Sequence, residues 1–392
     1  MLFDPPELGD LELAVMRQID ELRTNLRFLL AEPRRWTGLL ARVMFARSMQ
    51  GSNSIEGYNV TVNDAVAAIA KDSALETSGE SWKAILGYRD AMTYILRLSG
   101  DTHFEYHEGF IRSLHYMLMS HDPEKHPGTW RPGPVFVRRE ESGETVYEGA
   151  PVEELPRLVR ELMERLGTKD STSPMVSAAM AHLNLVMIHP FSDGNGRMAR
   201  MLQTLVLVRE KVLAPEFCSI EEYIGRQQVR PLYYEVLGQV GRRSWDPRGD
   251  ARPFVRFCLT AHYRQAEVLR RQALRMGSLW IELERVATKE LGFPERVLFA
   301  LTDAAMGLKV RNGTYRPMVA GFSDHLASRD FKSLVDAALL IPDGQKRGRF
   351  YTAAPKIQDI YRDIQQRYPR TLVPDPFGED AIGIGDQAPS ST

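Results

Sequence analysis

The sequence predicts a mainly α-helical protein with a helical-bundle core, one β-hairpin and a C-terminal winged helix-turn-helix module. Apolar residues recur at three- and four-residue steps through most of the chain, which is typical of amphipathic helices. Residues 133–151 alternate as a hairpin does, with a polar turn in the middle. Residues 321–353 read as a helix, a short apolar strand, a basic turn and an aromatic strand, the order typical of a winged helix.

The composition of the chain is that of an ordinary globular protein. It has 392 residues, of which 43% are hydrophobic and 26% charged, and 50 basic side chains stand against 51 acidic ones. Because the charges nearly cancel, bulk electrostatics favour no nucleic acid, membrane or acidic partner. Cys218 and Cys258 are the two cysteines, and their spacing suits neither a metal site nor a disulfide framework.

The opening residues predict a cytoplasmic location. The first ten residues, MLFDPPELGD, contain acids but no basic residue, so we expect no signal peptide. The sequence has no apolar run near the length of a membrane span, and we therefore expect no membrane partner.

Helical spacing starts at Asp10 and places five apolar residues on one face: Leu13, Met16, Ile19, Leu22 and Leu26. A further helical segment ends at Gly57, and Thr61 or Asn63 is suited to cap the helix that follows. We assign residues 1–75 to an N-terminal helical region.

The predicted core, residues 76–270, contains the hairpin and a central helix. Alternation at Val135 and Val137, then a return at residues 145–147, predicts the hairpin over residues 133–149. Ser173 and Pro174 mark the start of a helix that is apolar nearly all round, so we expect it to be buried.

That helix leads into the stretch HPFSDGNGRMAR, residues 189–200. The apolar period resumes after it at Met198, Met201, Leu202, Leu205 and Val208. Gly194 and Gly196 are therefore expected at the N-terminus of a helix, where free N–H groups and the helix dipole attract an anion. This arrangement predicts a phosphate site.

The polar residues of the stretch add the other groups that phosphate chemistry needs. Arg197 and Arg200 lie one turn apart and can contact more than one phosphate. An acid such as Asp193 beside a phosphate site is expected if a Mg²⁺ ion binds both its carboxylate and the phosphates. His189 is suited to accept a proton, and the amide of Asn195 can donate to a phosphate oxygen.

His182 is interpreted as a structural residue. A zinc site built from His182, His189 and Asp193 would lack further close ligands.

The stretch resembles the Fic-domain motif, His-x-Phe-x-Asp/Glu-Gly-Asn-Gly-Arg-x-x-Arg, at every defined position. The resemblance implies a protein adenylyltransferase, which moves AMP from ATP to the hydroxyl of a Ser, Thr or Tyr in a target protein. It further implies that His189 is the base, that Asp193 holds Mg²⁺, and that Phe191 anchors the loop.

The resemblance also implies the nucleotide contacts. Gly194, Asn195 and Gly196 would cradle the phosphates, Arg197 would bind the β-phosphate, and Arg200 would bind the γ-phosphate. Tyr233 and Tyr234 lie where the family often places aromatic residues near adenine. Gly196 stands where kinase relatives carry Lys, which favours AMP transfer over phosphate transfer.

An upstream segment, SNSIEGYN, resembles the inhibitory motif of Fic proteins through Ser52, Glu56 and Gly57. A carboxylate on Glu56 can pair bidentately with Arg200 and keep that guanidinium from the γ-phosphate. The resemblance therefore implies an N-terminal inhibitory helix within the same chain.

The resemblance makes the hairpin, residues 133–149, the flap that holds the target segment, because an open strand edge can pair with an extended peptide. It suggests a homodimer, and whether the enzyme also removes AMP stays open.

We assign residues 280–356 to the winged-helix module and residues 372–392 to an unstructured tail. The module has a nearly balanced charge, so protein recognition or dimer contact is favoured over DNA binding. Its basic residues are Arg329, Lys332, Lys346, Arg347 and Arg349, against Asp324, Asp330, Asp336 and Asp343. The alternative function is a DNA-binding regulator that uses the core as a nucleotide sensor.

Overall fold

The computed structural model describes residues 1–31, 35–138, 145–168, 172–210, 219–319, 323–345, 348–370 and 373–378. These residues form fifteen α-helices. They are α1 (Asp10–Ala31), α2 (Thr37–Ile55), α3 (Val62–Ile69), α4 (Gly79–Leu98), α5 (Glu108–Met119), α6 (Leu155–Gly167), α7 (Pro174–Ile188), α8 (Asn195–Arg209), α9 (Glu221–Ile224), α10 (Arg230–Gly241), α11 (Arg252–Leu283), α12 (Val297–Ala305), α13 (Asn312–Tyr315), α14 (Asp324–Asp336) and α15 (Pro355–Arg367).

Four short strands form two antiparallel pairs within the described residues. They are β1 (Phe136–Arg138), β2 (Thr145–Glu148), β3 (Leu340–Asp343) and β4 (Phe350–Ala353). The prediction of a mainly helical fold with one hairpin in its core is confirmed.

The predicted helix boundaries near the N-terminus follow from local chemistry. Helix α2 ends at Ile55, and Gly57 takes the left-handed conformation (φ +83°) that stops a helix. Thr61 caps α3 by accepting the N–H of Asp64 at 3.1 Å. Helix α1 has the expected range, although Leu13 is 39% exposed and lies outside the buried face.

Helices α7 and α8 form the centre of the core and pack against each other along their length. Helix α7 is buried on nearly all sides, as its all-round apolar sequence predicts. The long helix α11 packs against α1, α7 and α10, and α2 packs against α3 and α9. The loop between α7 and α8, residues 189–194, is thereby held between two rigid elements.

The predicted flap hairpin consists of β1 and β2, which pair through Phe136–Glu148 and Val137–Tyr147. The outer edge of β2 is already paired, because the N–H of Glu148 donates to Arg243 O at 3.0 Å and the N–H of Trp245 donates to Glu148 O at 3.2 Å. The predicted polar turn at residues 141–144 lies outside the described residues.

The C-terminal part has the order α12, α13, α14, β3, β4, with Val310 bridging Tyr351 beside the β-pair. This order is compatible with the winged-helix prediction, which stays a prediction. The boundary expected between residues 270 and 280 falls inside α11, and α15 follows β4 beyond the predicted limit. Cys218, Lys346, Arg347, Leu372 and residues 379–392 of the predicted tail lie outside the described residues.

Across the described ranges, no helix combines the length and apolar character needed to cross a membrane.

Candidate functional site

The stretch His189–Arg200 closes α7 and opens α8. His189 ends α7 in a left-handed conformation (φ 54°, ψ 57°), and its N–H donates to Leu185 O at 3.1 Å. Gly194 precedes α8 with φ 78°, so a glycine suits this turn. Gly194 to Gly196 therefore lie at a helix N-terminus, as the sequence predicts, and the free N–H groups of that end face the loop.

Interactions within the loop fix its shape. The side chain of Asn195 donates to Phe191 O at 2.8 Å and accepts the N–H of Phe191 at 3.0 Å. Phe191 is fully buried and stacks on His115 with ring centroids 3.7 Å apart. The Asn195 amide is thus already used by the loop backbone, which favours a loop-holding role over the predicted phosphate contact.

The His189 ring has the tautomer that a general base requires. Its Nδ1 lies 3.1 Å from Val186 O and donates to it, which leaves Nε2 as the acceptor. Burial lowers the pKa of His189 below its usual value, and the Arg131 cation lowers it further, against the Val186 hydrogen bond and the charges of Glu56 and Asp193. The imidazole is therefore neutral near pH 7.

Asp193 lies two residues before the first residue of α8. Its side chain is 31% exposed, and Oδ1 accepts the N–H of Gly194 at 2.5 Å. Oδ1 also lies 3.7 Å from Nη2 of Arg197. Mg²⁺ commonly binds one or two carboxylates together with substrate phosphates, and this half-exposed carboxylate beside an anion site fits that donor set.

Arg197 is fully buried under the segment that follows α2. Its guanidinium lies 4.9 Å from the ring centroid of Tyr58, and Nη2 lies 3.2 Å from the sulfur of Met119. Its Nε and Nη1 have no hydrogen-bond partner among the described residues. Arg197 thus keeps donors for an anion, but Tyr58 covers it here.

Arg200 is held by the predicted inhibitory segment. Nη2 donates to Glu56 Oε1 at 2.7 Å and to the carbonyl of Ser52 at 3.1 Å, and Nε donates to the Ser52 hydroxyl at 3.0 Å. Glu56 and Arg200 thus form an ion pair through one hydrogen bond, rather than the bidentate pair expected from the sequence. Ser52, which lies one helical turn before Glu56, accepts from both Nε and Nη2. Nη1 has no hydrogen-bond partner among the described residues.

The carboxylate of Glu56 also lies directly against Gly196. A Cβ at residue 196 would come within 2.4 Å of Glu56 Oε1 and 3.0 Å of Arg200 Nη1, so this approach requires a glycine. Burial opposes ionisation of Glu56, but the charges of Arg200 and Arg197 outweigh it and lower the pKa of the carboxyl. Glu56 is therefore an anion at the helix N-terminus that the sequence predicts as a phosphate site.

Two residues near Arg200 and Arg197 were missed by the sequence reasoning. Glu221 is 1% exposed and lies 3.9 Å from Arg200 Nε, while its Oε2 accepts the hydroxyl of Tyr88 at 2.5 Å. Tyr58 follows the inhibitory motif directly, and its aromatic ring was the available signal. Glu221 had no such signal, because only the fold brings α9 beside α8.

The two predicted adenine contacts fall in different places. Tyr233 is 1% exposed, and its hydroxyl donates to Nε2 of His182 at 2.9 Å inside the core. The adenine contact predicted for Tyr233 is therefore not supported. Tyr234 is 46% exposed and donates to Ile55 O at 3.0 Å, beside the end of α2. His182 is structural, as expected, since Nδ1 also bonds to Gln203 at 2.6 Å.

Residues 105–207 match the sequence model of the Fic/DOC family. This range includes the flap, α7, the loop and most of α8. This part of the chain is therefore similar to a Fic domain.

Similar proteins carry the same domain. The chain is 29% identical over 261 residues to "Protein adenylyltransferase Fic" from Nematostella vectensis, covering 64% of the chain and 55% of that protein. It is 30% identical over 250 residues to the protein of the same name from Aedes aegypti, covering 63% of the chain and 43% of the relative. The chain thus spans about half the length of these curated relatives.

Solved structures support the fold of the Fic domain and its surroundings. A Fic family protein from Desulfovibrio desulfuricans superposes with a TM-score of 0.57 at 23% identity, covering 90% of this chain and 98% of the other. Fic-1 from C. elegans superposes with a TM-score of 0.51 at 22% identity, covering 66% and 71% of the two chains. At these identities the likeness concerns the fold alone.

Proposed function

We propose that this protein transfers AMP from ATP to the hydroxyl of a Ser, Thr or Tyr in target proteins and in itself. The observation that carries the proposal is the Glu56 carboxylate seated on Arg200 and Gly196, at the N-terminus of α8. A site that holds one anion beside a neutral histidine suits the phosphates of a nucleotide. The names of the relatives from Nematostella and Aedes favour adenylyl transfer among the possible reactions.

The residues of the loop divide the chemistry between them. Nε2 of His189 accepts the proton of the target hydroxyl, and the hydroxyl oxygen attacks the α-phosphorus of ATP. The bond from the α-phosphorus to the oxygen that bridges to the β-phosphate breaks, so AMP stays on the target and pyrophosphate leaves. The N–H groups of the α8 N-terminus and the guanidinium groups of Arg197 and Arg200 stabilise the charge on the phosphates. The reaction then needs little beyond positioning and charge stabilisation, as phosphate chemistry generally does.

Asp193 is the residue that would hold Mg²⁺. The metal would neutralise phosphate charge when bound with ATP. The chain's own contribution is a carboxylate kept in place by the N–H of Gly194 and lying close to Arg197.

The flap offers one open strand edge to a target. The outer edge of β2 pairs with Arg243 and Trp245, so a target segment would pair along β1. Such pairing binds the main chain of an extended peptide and would bring a hydroxyl side chain toward His189.

We further propose that α2 inhibits the enzyme. Glu56 and the γ-phosphate require the same guanidinium on Arg200, so ATP competes with a carboxylate that is already in place. A charge-assisted hydrogen bond of this kind is worth about 1.5–3 kcal/mol. Removal of the carboxylate should therefore raise transfer roughly tenfold to more than a hundredfold.

Labelling with ATP that carries the label on its α-phosphate tests both proposals. Glu56→Gly should label itself and lysate proteins much faster than the native protein. His189→Ala in that background should lose transfer while ATP still binds, because the anion site is kept. Glu56→Gly with Arg200→Ala should fall back toward the native rate.

The outcomes separate the two ideas. If Glu56→Gly transfers no AMP, the proposed adenylyl transfer is wrong. If the faster labelling of Glu56→Gly persists when Arg200 is also replaced, competition for Arg200 is not the mechanism of inhibition.

The remaining assignments are proposals of the same kind: a cytoplasmic location, a homodimer, and a winged-helix module that contacts protein. Of the basic residues predicted there, Arg329, Lys332 and Arg349 are exposed. A salt-dependent gel shift on duplex DNA would favour the DNA-binding alternative instead.

A further inference from the structure

Arg131 is a buried cation that forms no ion pair within 4 Å in the described part of the chain, although the charge of Glu148 acts on it from farther away. It lies between α5 and β1, and it is 3% exposed. Buried arginines normally pair with acids, because an unpaired charge is costly in a protein interior. Burial lowers the pKa of Arg131 from its usual high value, yet a guanidinium stays protonated. The function of such a residue needs an explanation.

Its guanidinium donates to three main-chain carbonyls. Nε donates to His189 O at 2.8 Å, Nη1 donates to Gly133 O at 2.6 Å, and Nη2 donates to Ala150 O. Gly133 opens the flap segment and Ala150 follows its end. One side chain therefore joins the proposed base to both ends of the proposed target-binding hairpin.

The backbone of His189 is a place where such support matters. A residue other than glycine is strained at φ 54°, and this conformation persists only where its surroundings enforce it. The helix supplies one restraint, the bond from His189 N–H to Leu185 O at 3.1 Å. The Arg131 side chain supplies a second restraint by its bond to the carbonyl of His189. The backbone N–H of Arg131 also donates to Pro190 O at 3.0 Å.

We propose that Arg131 is a positioning residue that clamps the His189 backbone to both ends of the flap. The base and the edge that receives the target then keep a fixed relative placement. The planar fork of a guanidinium suits three separate acceptors, which a compact ammonium group does not. This inference rests on the proposed adenylyl transfer.

The charge of Arg131 has a second effect on His189. The charges that act most strongly on this imidazole belong to Arg131 before the hairpin, Glu56 after the end of α2, and Asp193 in the loop. The cation disfavours protonated His189, whereas the two carboxylates favour it. In a Glu56→Gly background one of those carboxylates is removed, so the effect of Arg131 is easier to measure.

Two substitutions separate geometry from charge. In Glu56→Gly protein, Arg131→Met removes both the hydrogen bonds and the charge. Loss of the hydrogen bonds should lower kcat roughly tenfold or more, and loss of the charge should move the acidic limb of the pH profile of kcat up by roughly one pH unit. Arg131→Lys keeps the charge, so kcat should fall while the limb stays in place. ATP affinity should change little in either variant, because the α8 N-terminus is untouched. Arg243→Met, which removes an exposed cation near the flap, is the matched control.

A nuclear magnetic resonance titration of the His189 ring gives a readout that needs no activity. Its signal is assigned by its absence in His189→Gln, and its pKa should rise in Arg131→Met but not in Arg131→Lys. An unchanged His189 pKa and kcat in a folded Arg131→Met protein would overturn the proposal, as would a loss of ATP binding that matches the loss of kcat. If Arg131→Met does not fold, an Arg131→Lys protein with native kcat would overturn it. Failure of the adenylyl transfer itself would appear separately, as an inactive Glu56→Gly protein with native Arg131.

Discussion

At the residue scale, both arginines of the motif are covered by one short segment of chain. Glu56 takes a donor of Arg200, and Tyr58, two residues later, lies over the guanidinium of Arg197 at 4.9 Å. Burial raises the pKa of Tyr58, so its hydroxyl is neutral at working pH and the ring contact is a cation–π contact. The proposed inhibitory segment therefore has an aromatic part as well as an acidic one.

We expect Tyr58→Ala to release part of the inhibition. A cation–π contact is worth roughly 0.5–2 kcal/mol, so labelling with α-phosphate-labelled ATP should rise several-fold, less than in Glu56→Gly. Tyr58→Phe keeps the ring over Arg197 and should behave as the native protein. Equal gains in the two variants would show that the hydroxyl, rather than the ring, restrains the enzyme.

Buried histidines predict how stability depends on pH. Burial lowers the pKa of His115 to about 4 and that of His182 to about 3, while His262 is also well below its usual value. In the unfolded chain these groups titrate near 6.5. Well above pH 6.5 these three histidines are neutral in both the folded and the unfolded state. As the pH falls toward 4, they bind protons in the unfolded chain but stay neutral in the folded protein.

The free energy of unfolding should therefore fall between pH 6.5 and 4.5, by about 2 kcal/mol or more each for His115 and His182, and His262 should act in the same direction. Urea unfolding across this range measures it. His103→Gln, a change at an exposed histidine, should leave the slope unaltered. A flat stability curve over this interval would contradict the prediction.

At the element scale, helix α2 is fixed to α9 by backbone contact. A Cβ at Gly51 would lie 2.5 Å from Glu221 O, and a Cβ at Gly225 would lie 2.6 Å from the Cα of Gly51. Further bonds join α2 to its neighbours, including Arg47 to Glu222 at 3.2 Å and Arg230 to Ser54 O at 2.7 Å. The position of Glu56 thus depends on how closely two helices approach.

We expect Gly51→Ala to weaken the inhibition without touching Glu56. The added methyl group must push α2 from α9, at a cost of about 1–3 kcal/mol, and this moves the carboxylate relative to Arg200. Adenylyl transfer should rise and Tm should fall. Gly38→Ala is the matched control, because Gly38 lies in the same helix and an added Cβ there would contact nothing within 4 Å. Unchanged transfer in Gly51→Ala would mean that α2 tolerates the shift.

At the scale of the whole molecule, helix α2, the proposed inhibitory helix, also contacts the C-terminal part of the chain. Nη2 of Arg42 in α2 lies 2.5 Å from both carboxylate oxygens of Asp303 in α12, and the Asp303 side chain is 2% exposed. Burial raises the pKa of Asp303 despite the nearby Arg42. The predicted winged-helix module therefore contacts the helix that carries Glu56.

We expect Arg42→Met to lower the free energy of unfolding by about 3 kcal/mol, because it leaves a buried carboxylate unpaired. The double change Arg42→Met with Asp303→Leu should recover much of this loss. Chemical denaturation of the four proteins of this double-mutant cycle gives the coupling energy. Additive losses would show that the two residues do not stabilise each other.

The sequence by itself determined the helical class, the hairpin, and the place of the motif loop. These depend on local chemistry: the apolar period of α1 and α8, the left-handed Gly57 and Gly194, and the cap at Thr61. It also brought Glu56 and Arg200 together as an ion pair, since the family resemblance links the two motifs.

Only the tertiary structure decided which atoms meet across the fold. Ser52 rather than a second oxygen of Glu56 binds Nε of Arg200, and Tyr233 bonds to His182 in the core. Arg131, Tyr58 and Glu221 acquire their places from helices and loops distant in sequence. Periodicity specifies which face of a helix is apolar, but hydrogen-bond partners depend on distances between elements, which packing alone sets.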